Sequence, residues 1–518
     1  MLKRSYCRLV ENREGLLVAL LLLLGCGLRL AALGALPRGL NQDEASAGYE
    51  AWALLHSGMD RCGNTWPVLF TAWGSGQNVL MSYLDIPFVA VLGLSELSLR
   101  LPNALAGCLT LPVFWLLARQ CRGKYFGITA LLLLVINPWH IMASRWALES
   151  NLFPFFLLLG LWLCSVGKLR PWALCGAAAA FGLSLYAYGA AFFFLPLFLL
   201  VMLLWLRRDL LRRPAPYLTA ALLFILLAAP ITLCQVINTL GWEEQRILGV
   251  TLPRLTAGRQ AATSVLGGAS VPENLRDFLR ILRLQNDGLP WNALPLRQGG
   301  ILYIFGLPAA AVGFLASLFG RKDRTEEFPL RLALLCSLVC ACLIRCNINR
   351  INMLWLPLIY FSAVGCHLIL RPLEGWAVLP AAAVLACFGL FAQGYAAAFG
   401  GAGNVNFFPG LGEAVVSAQA LQRGPVYITE RVNQPYIFAL FYTRTPPEEF
   451  VSTVEYTDFN AAFRRAERFS GFEFAEPGRC DILILYPYEA EKDQILGEYG
   501  DFVLCVRDRA TDAGTGGS

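Results

Sequence analysis

The stretch Leu16–Leu36, LLVALLLLLGCGLRLAALGAL, is an apolar run interrupted by one charged side chain, that of Arg29. About 20 apolar residues in a helix cross the hydrocarbon core of a bilayer, so this run predicts a transmembrane helix. Four basic residues precede the run, namely Lys3, Arg4, Arg8 and Arg13. No convincing small-residue cleavage site follows it, which favours a retained first helix over a signal peptide.

The composition extends this prediction to most of the chain. Of the 518 residues, 57% are hydrophobic and 15% are charged, and the mean hydropathy is +0.54. Soluble proteins are about half apolar and about a quarter charged, so the bilayer is the expected solvent here. The net charge of +6 is carried by short basic clusters between apolar runs. That pattern is typical of membrane topology signals, and we expect no nucleic-acid partner.

Ten further apolar runs are candidates for membrane-spanning helices. They lie near residues 101–118, 125–138, 151–166, 172–189, 190–206, 217–237, 299–319, 329–345, 351–370 and 376–398. With the first run they predict a polytopic α-helical membrane protein of about eleven transmembrane helices.

The basic residues predict which side of the membrane each connection faces. With a cytoplasmic N-terminus, the short inner connections carry Arg119/Arg122/Lys124, Lys168/Arg170, Arg207/Arg208/Arg212/Arg213, Arg321/Lys322/Arg324 and Arg371, as the positive-inside rule expects. Three long segments then lie outside: 37–100, 238–298 and everything after about residue 400. We therefore expect a multi-pass protein of the cytoplasmic (plasma) membrane.

The last quarter of the chain changes character. Short alternating runs at Gly424–Thr429 and Cys480–Tyr486 flank a polar stretch around Phe459–Phe469 that favours a helix. Strands alternating with helices predict a small α/β domain. We expect a transmembrane catalytic domain over residues 1–400, an extracytoplasmic α/β domain over 401–509 and a disordered tail over 510–518.

The cysteines and histidines give no metal site. Most of the sixteen cysteines lie inside apolar runs, where they behave as small hydrophobes. Cys62, Cys480 and Cys505 are the ones expected to face outward. Neither a C-x-x-C pair nor a Cys/His ligand spacing is present, so no metal ligand is assigned. No cofactor is certain from the sequence, and a requirement for a divalent metal stays open.

An acidic pair, Asp43-Glu44, follows the first predicted span by about seven residues. Residues 45–55 have helix-forming composition, with apolar side chains spaced for a helix along the membrane surface. A carboxylate at the start of such a helix caps it, which explains one acid better than two adjacent ones. Capping and a functional role are both compatible with the pair.

Three other stretches complete a family pattern: LSLRLPNALAG at Leu97–Gly107, INPWHIMASRWALESN at Ile136–Asn151 and NINRIN at Asn347–Asn352. With the acidic pair, the long outer loop and an external C-terminal domain, residues 16–370 resemble the GT-C glycosyltransferases. The similarity is greatest to the family 39 branch, which includes protein O-mannosyltransferases and the aminoarabinose transferases of lipid A. Many relatives carry a His-Pro-Pro motif later in the first outer loop, and residues 73–83 lack it.

The resemblance implies transfer of a sugar from a polyprenyl-phosphate donor to an acceptor outside the cytoplasmic membrane. It implies Asp43 as first choice, and Glu44 as second, for the base that accepts the acceptor's hydroxyl proton. A positioned carboxylate suits that role, and the departing lipid phosphate needs cationic contacts. The expected partners are membrane lipids, the polyprenyl-phosphate sugar and a glycan, lipid or protein acceptor.

Two arginines are candidates for binding the donor phosphate. If residues 139–149 are helical, Arg145 and Glu149 share one face, with Glu149 near the sugar or acceptor; an interfacial ion pair is the alternative. Arg350 lies on an outer loop against the positive-inside trend, and snorkelling to headgroup phosphates is its alternative role.

Four polar or aromatic residues are further candidates for contacts with sugar or acceptor. Gln77 and Asn78 have hydrogen-bonding amides, although their Gly-rich surroundings also suit a plain turn. Tyr188, at an outer turn, is as well explained as an interfacial aromatic residue, and Asn349 neighbours Arg350. Arg29 is expected to snorkel outward, with a role in the donor groove as the alternative, and Arg100 is expected to anchor a helix boundary.

A transporter or flippase, or a non-catalytic membrane component of lipid-linked glycan assembly, is the alternative function. Transporters typically show paired repeats and ionisable residues near the bilayer midplane. The notable charges of this chain cluster at one predicted outer surface instead, which favours the transferase.

Overall fold

The computed structural model describes residues 2–256, 268, 270–289, 291, 294–320, 325–370, 378–401, 406–478, 480–491 and 493–507, with side chains for all but residues 2–13 and 378. The basic residues Arg321, Lys322, Arg324 and Arg371 and the tail Ala510–Ser518 lie outside the described residues. Contacts divide the chain into two units. The first comprises Met1–Ala31, Asn103–Ala229 and Gln260–Tyr395, and the second comprises Ala32–Pro102, Pro230–Arg259 and Ala396–Ser518.

Helices dominate the described part of the chain. They are α1 (Leu2–Leu30), α2 (Gln42–Ser57), α3 (Leu80–Leu92), α4 (Glu96–Arg122), α5 (Lys124–Val135), α6 (Pro138–Ser144), α7 (Phe153–Gly167), α8 (Ala173–Ala187), α9 (Ala191–Arg212), α10 (Pro214–Leu240), α11 (Val271–Leu284), α12 (Gly306–Phe319), α13 (Phe328–Leu343), α14 (Trp355–Leu370), α15 (Val378–Gly400), α16 (Leu411–Ala420), α17 (Pro435–Thr443) and α18 (Pro447–Thr453).

Six helical segments within the described residues are long and apolar enough to cross a membrane. They are Glu96–Arg122, Glu149–Gly167, Ala191–Arg212, Pro214–Leu240, Asn352–Leu370 and Leu379–Gly400. A seventh span is added if α5 and α6, which meet at a bend of 61°, form one broken span. The prediction of a polytopic helical membrane protein is confirmed, while the count of about eleven spans stays a prediction.

Local sequence explains the bend between α5 and α6. Pro138 opens α6, and a proline has no N–H with which to continue the preceding helix. It also restricts Asn137 to extended backbone, which Asn137 adopts with φ −66° and ψ 125°. The Oδ1 atom of Asn137 accepts a hydrogen bond from the His140 N–H at 3.0 Å. Asn137 therefore caps a new helix in a new direction.

In the first unit, helices α12 and α14 approach each other at two glycines. A Cβ atom added to Gly313 would lie 2.0 Å from the Phe361 carbonyl oxygen, and one added to Gly365 would lie 1.9 Å from that of Ala309. Small residues allow such backbone contact between membrane helices. This close packing fixes the positions of the two helices in the unit.

The second unit contains a mixed β-sheet near the C-terminus. Its strands are β5 (Val426–Ile428), β6 (Glu455–Tyr456), β7 (Ala466–Phe469), β8 (Phe472–Glu473), β9 (Ile482–Leu485), β10 (Gln494–Tyr499) and β11 (Phe502–Val506). Among the described residues the strand order is β10-β11-β9-β5-β8-β7-β6. Strand β5 is parallel to both β8 and β9, and all four residues of β9 are buried. A C-terminal α/β sheet domain is therefore confirmed.

Two local predictions for this domain are wrong. The stretch Phe459–Phe469 is not a helix, because its end forms β7, which pairs with β8 in a tight hairpin. The Arg464 N–H that precedes the strand donates to the Trp73 carbonyl at 2.8 Å. Cys480 and Cys505 are fully buried in the hydrophobic core of the sheet domain and are not exposed to solvent.

Two short hairpins lie elsewhere in the second unit. Strand β1 (Leu69–Phe70) pairs with β2 (Gln77–Asn78), and β3 (Gln245–Ile247) pairs with β4 (Val250–Leu252). The Val68 N–H donates to the Thr251 carbonyl at 3.0 Å. The two hairpins are thereby joined.

We predict that Gly365→Ala lowers the free energy of unfolding by about 1–3 kcal/mol or more, because the added methyl group overpacks a backbone contact. The check is the thermal unfolding midpoint in detergent. Gly389→Ala in α15 is the matched control, since a Cβ atom there meets nothing within 4 Å. An equal midpoint for the two variants would contradict the proposed helix contact.

Candidate active site

The acidic pair lies at the start of α2. Asn41 is the N-cap, and its Oδ1 atom accepts the Asp43 N–H at 3.0 Å. The Glu44 side chain returns to the cap, because its Oε2 atom accepts the Asn41 N–H at 3.1 Å. Together these contacts form a capping box. Helix capping, the structural alternative for the pair, is therefore realised by Glu44.

Glu44 also forms a buried ion pair with Arg100 of α4. The Nε atom of Arg100 lies 2.8 Å from Oε1 of Glu44, and Nη2 lies 2.9 Å from Oε2. Both side chains have no solvent exposure. A bidentate arginine–carboxylate pair is among the strongest hydrogen-bonded contacts in proteins. Both oxygens of Glu44 thus accept hydrogen bonds from the protein itself.

Arg100 donates its other N–H groups to the chain that leads from α1 to α2. Nη1 donates to the carbonyls of Pro37 at 2.7 Å and Leu33 at 3.3 Å, and Nη2 donates to that of Gly39 at 2.6 Å. Arg100 therefore does more than anchor a helix boundary, which is the role expected from the sequence. Arg100 holds the whole segment that positions Asp43.

Gly39 fixes the same segment from the other side. Its φ of +82° is in the left-handed region, and an added Cβ atom would lie 2.0 Å from the Phe407 carbonyl oxygen. Only glycine fits there. The Asn41 amide donates to the Asn406 carbonyl at 3.0 Å. The segment that leads to the acidic pair therefore packs against Asn406 and Phe407 of the same unit.

Asp43 differs from its neighbour in burial. It is the second residue of α2 and is half-buried, whereas Glu44 is fully buried. Two adjacent carboxylates thus occupy distinct environments. Glu44 holds the start of α2 through its contacts, and Asp43 lies in the same first turn with part of its surface exposed.

Gln77, one of the predicted sugar contacts, is buried in β2. Its Oε1 atom accepts a hydrogen bond from Ser46 of α2 at 2.7 Å, and the Ser46 oxygen accepts one from Nη1 of Arg61 at 2.6 Å. Asn78 is half-buried and lies opposite Leu69 in the hairpin. The Gly-rich stretch is therefore a hairpin turn attached to α2.

A buried charge cluster that sequence analysis missed supports this attachment. Nη1 of Arg61 lies 3.1 Å from Oε1 of Glu50, and the guanidinium lies 4.5 Å from the centre of the Trp73 ring. Burial raises the pKa of Glu50, and the Arg61 charge partly offsets the shift. Burial also raises the pKa of Asp60, against hydrogen bonds from Asn64. Arg61 therefore holds α2, because its partners Glu50 and Ser46 are both residues of that helix.

In the first unit, Arg145 is buried and caps the end of α6. Its Nη1 atom donates to the carbonyls of Leu28 at 3.1 Å and Arg29 at 3.2 Å, and its Nε atom donates to the Tyr395 hydroxyl at 3.3 Å. Arg145, the predicted phosphate-binding cation, is therefore hydrogen-bonded to the C-terminal end of α1. Its role toward a donor phosphate stays a prediction.

The predicted helical relation between Arg145 and Glu149 is wrong. Helix α6 ends at Ser144, and Glu149 opens a separate 3₁₀ helix, Glu149–Leu152. The Asn103 amide holds the intervening chain open by donating to the carbonyls of Trp146 at 2.8 Å and Leu148 at 3.1 Å. Glu149 itself is buried.

The sequence predicted that Arg29 snorkels to the membrane surface, and this prediction is wrong. Arg29 is fully buried and lies 2.6 Å from Nδ1 of His140 through Nη2. It also donates to the carbonyls of Gly25, Leu134 and Val135 at 2.9, 3.0 and 3.2 Å. A buried charge in a membrane helix is retained where polar groups surround it. Arg29 ties α1 to the break between α5 and α6.

The remaining candidates also lie in the first unit. Arg350 is half-buried in a turn, where its N–H donates to the Asn347 side chain at 2.7 Å and its Nη1 atom contacts the Arg345 carbonyl at 3.4 Å. Asn349 precedes it and is half-buried. Tyr188 follows the end of α8 and is half-buried.

The candidates divide between the units as follows. Asp43, Glu44, Gln77 and Asn78 belong to the second unit, and Arg145, Glu149, Tyr188, Asn349 and Arg350 belong to the first. The structure joins Glu44 to Arg100 and Gln77 to α2. A common cavity for the two sets stays a prediction.

Two further observations bear on the chemistry of the site. Asp85 of α3, which sequence analysis missed, is fully buried, and neither carboxylate oxygen has a hydrogen-bond partner among the described residues. A charged residue in an apolar helix was the signal that marked it. In the described part of the chain, no group of three or more His, Cys, Asp or Glu side chains is placed to hold a metal ion.

We predict that Glu44→Gln or Arg100→Gln each lowers the free energy of unfolding by about 3–5 kcal/mol, because each leaves a buried charge without its partner. The double variant should lose less than the sum of the two losses. Thermal unfolding in detergent measures all three. The control is Glu455→Gln, whose partner Arg468 is exposed, and its midpoint should be nearly unchanged. Equal midpoints for Glu44→Gln and Glu455→Gln would exclude the structural role of the buried pair.

Comparison with known proteins finds a family model that matches part of the chain. Residues 78–233 match the model of the dolichyl-phosphate-mannose-protein mannosyltransferase family, PMT_2. No curated protein matches the sequence significantly.

Solved structures share the fold over nearly the whole chain. ArnT from Cupriavidus metallidurans in the apo state matches with a TM-score of 0.57 and 15% identity, covering 96% of this chain and 98% of that one. Its complex with undecaprenyl phosphate matches with the same TM-score and 14% identity, over 96% and 98% of the two chains. The Archaeoglobus fulgidus oligosaccharyltransferase matches with a TM-score of 0.54 and 14% identity, over 84% of this chain and 64% of that one. The sequence-based resemblance to the protein O-mannosyltransferases of family 39 is thus confirmed over residues 78–233 by the family model, and the fold is shared with ArnT over nearly the whole chain.

Proposed function

We propose that this chain transfers a sugar from a polyprenyl-phosphate donor to an acceptor hydroxyl on the outer side of the cytoplasmic membrane, with Asp43 as general base. The observation that carries the proposal is the division of the acidic pair. Both oxygens of Glu44 are engaged by Arg100 and the helix cap. A proton acceptor must present an oxygen to the substrate, and half-buried Asp43 is the better placed of the two.

The reaction balances without an added cofactor. The acceptor oxygen forms a bond to the anomeric carbon as its proton passes to the Asp43 carboxylate. The bond from that carbon to the phosphate oxygen breaks, and its electron pair leaves with the polyprenyl phosphate. Positive charge near that phosphate stabilises the transition state, and we assign this role to Arg145 and Arg350. Glu149, Gln77, Asn78, Tyr188 and Asn349 are proposed to contact the sugar or the acceptor.

Two comparisons support the proposed donor class. The matching family model describes mannosyltransferases that use a dolichyl-phosphate sugar, and ArnT was solved with undecaprenyl phosphate bound. A lipid-linked donor carries its own leaving group, so catalysis needs only orientation, a base and cations. The acceptor is a glycan, a lipid or a protein.

We further propose about eleven spans, an N-terminus in the cytoplasm and a C-terminal domain outside. The short basic connections support this orientation through the positive-inside rule. In this arrangement residues 1–400 hold the catalytic machinery, and the sheet domain of residues 401–509 contributes to acceptor binding.

We predict that Asp43→Asn lowers the turnover number by about 100-fold or more, because general-base catalysis typically contributes that much. Purified protein would be given a panel of polyprenyl-phosphate sugars, and release of the lipid phosphate would be followed. Asp209→Asn, an exposed acid-to-amide substitution near the end of α9, lies on the side assigned to the cytoplasm and should retain full activity. Full activity in Asp43→Asn would refute the assignment of the base, and no turnover with any donor would refute the transferase.

We predict that Arg350→Gln raises the KM for the donor by about tenfold or more, since a hydrogen bond to a charged group contributes about 1.5–3 kcal/mol. Stability should hardly change, because within the described residues the side chain makes one long hydrogen bond, to the Arg345 carbonyl. Arg345→Gln, an exposed neighbour in the same loop, is the matched control. Donor titrations that give the same KM for both variants would show that Arg350 does not bind the donor.

A further inference from the structure

A cavity separate from the acidic pair lies in the first unit, between α1, α4 and α5. Its volume is about 360 Å³. Its apolar wall includes Val18, Leu22 and Ile128, and its polar side includes Trp115 and Arg119. It lies at the ends of α4 and α5 that the charge pattern assigns to the cytoplasmic side. None of these residues takes part in the proposed transfer reaction.

The tight turn between α4 and α5 places the charges at this cavity. Gly123 has a φ of +90°, and its N–H donates to the Arg119 carbonyl at 2.8 Å. A Cβ atom added to Gly127 would lie 3.0 Å from the Arg119 Cβ atom, so α5 passes directly against the end of α4. The position of Arg119 beside α5 is therefore fixed by the backbone.

The cavity carries one uncompensated positive charge. Nζ of Lys124 lies 2.7 Å from Oε1 of Glu14, which neutralises that pair. Arg119 is exposed and forms no ion pair within the described residues, and its guanidinium lies 5.3 Å from the centre of the Trp115 ring. Trp115 adds a donor, since its indole N–H is buried and meets no acceptor in the described part of the chain. An anionic group with acceptor oxygens would complement both side chains.

Exposed leucines on α1 lie next to the residues that line the cavity. On α1, Leu16 and Leu23 are 61% and 70% exposed, which suits contact with acyl chains. An apolar groove with a basic and aromatic end matches a lipid whose phosphate lies at the membrane surface. Neither a soluble anion nor a purely apolar molecule would use both parts.

We propose that this cavity binds one anionic phospholipid. The phosphate of the lipid would contact Arg119 and Trp115, and one acyl chain would lie along α1. The lipid would connect α1, α4 and α5 at the inner surface of the membrane. Binding here does not depend on the proposed transfer reaction, so it is tested without a donor or an acceptor.

The experiment is native mass spectrometry of the full chain in detergent, titrated with phosphatidylglycerol and, separately, with phosphatidylcholine. Arg119→Gln should weaken the first phosphatidylglycerol association about fivefold, the effect of one basic residue at an anionic surface. Ala19→Phe should weaken it at unchanged charge, because Ala19 lines the cavity. Arg207→Gln, an exposed basic residue at the end of α9, is the matched control and should bind as the parent does.

Equal binding of phosphatidylglycerol by Arg119→Gln and Arg207→Gln would overturn the proposal, as would equal retention of phosphatidylcholine by the parent. Displacement of phosphatidylglycerol by equimolar undecaprenyl phosphate would overturn the assignment to a phospholipid. Unfolding midpoints accompany each titration, so that the comparison uses folded variants. If Ala19→Phe does not fold, the comparison of the two arginine variants decides the outcome.

Discussion

The buried contact between Glu44 and Arg100 organises the part of the chain on which the proposed chemistry depends. Removing two charges from water costs several kcal/mol per ion, and the pair is stable only if its geometry is good and its remaining hydrogen-bonding groups are satisfied. Both conditions hold here. The pair is bidentate, the helix cap engages Glu44, and three backbone carbonyls between α1 and α2 engage Arg100.

The neighbouring acids Asp43 and Glu44 therefore have different roles. Glu44 turns inward and joins α2 to α4, whereas Asp43 stays half-buried one residue earlier. A base must keep its geometry while its protonation changes. Placing the base beside a buried ion pair meets this need, because the ion pair holds the start of α2 in place. The hydrogen bonds from Ser46 to Gln77 and from Arg61 to Ser46 fix the same helix from its other side.

The sequence predicted the features that depend on composition and on local order. The apolar runs predicted a membrane protein, and the alternating strands predicted a C-terminal sheet. The acidic pair and three further stretches predicted the resemblance to family 39 glycosyltransferases, which the family model supports over residues 78–233. The predictions from sequence were wrong where contacts between residues far apart in the chain determine the structure. Arg29 appeared to snorkel because its partner His140 lies 111 residues away. Arg145 and Glu149 appeared to share a helix because the Asn103 amide, which opens that helix, is distant in sequence.

The most direct test of the account is a structure of the protein with a polyprenyl-phosphate sugar and an acceptor analogue bound. We expect the acceptor hydroxyl oxygen to lie about 2.6–3.2 Å from a carboxylate oxygen of Asp43, the reach of a general base. Glu44 should remain on Arg100. A hydroxyl held by another carboxylate, such as that of Glu149 or Asp85, with Asp43 turned away, would contradict it.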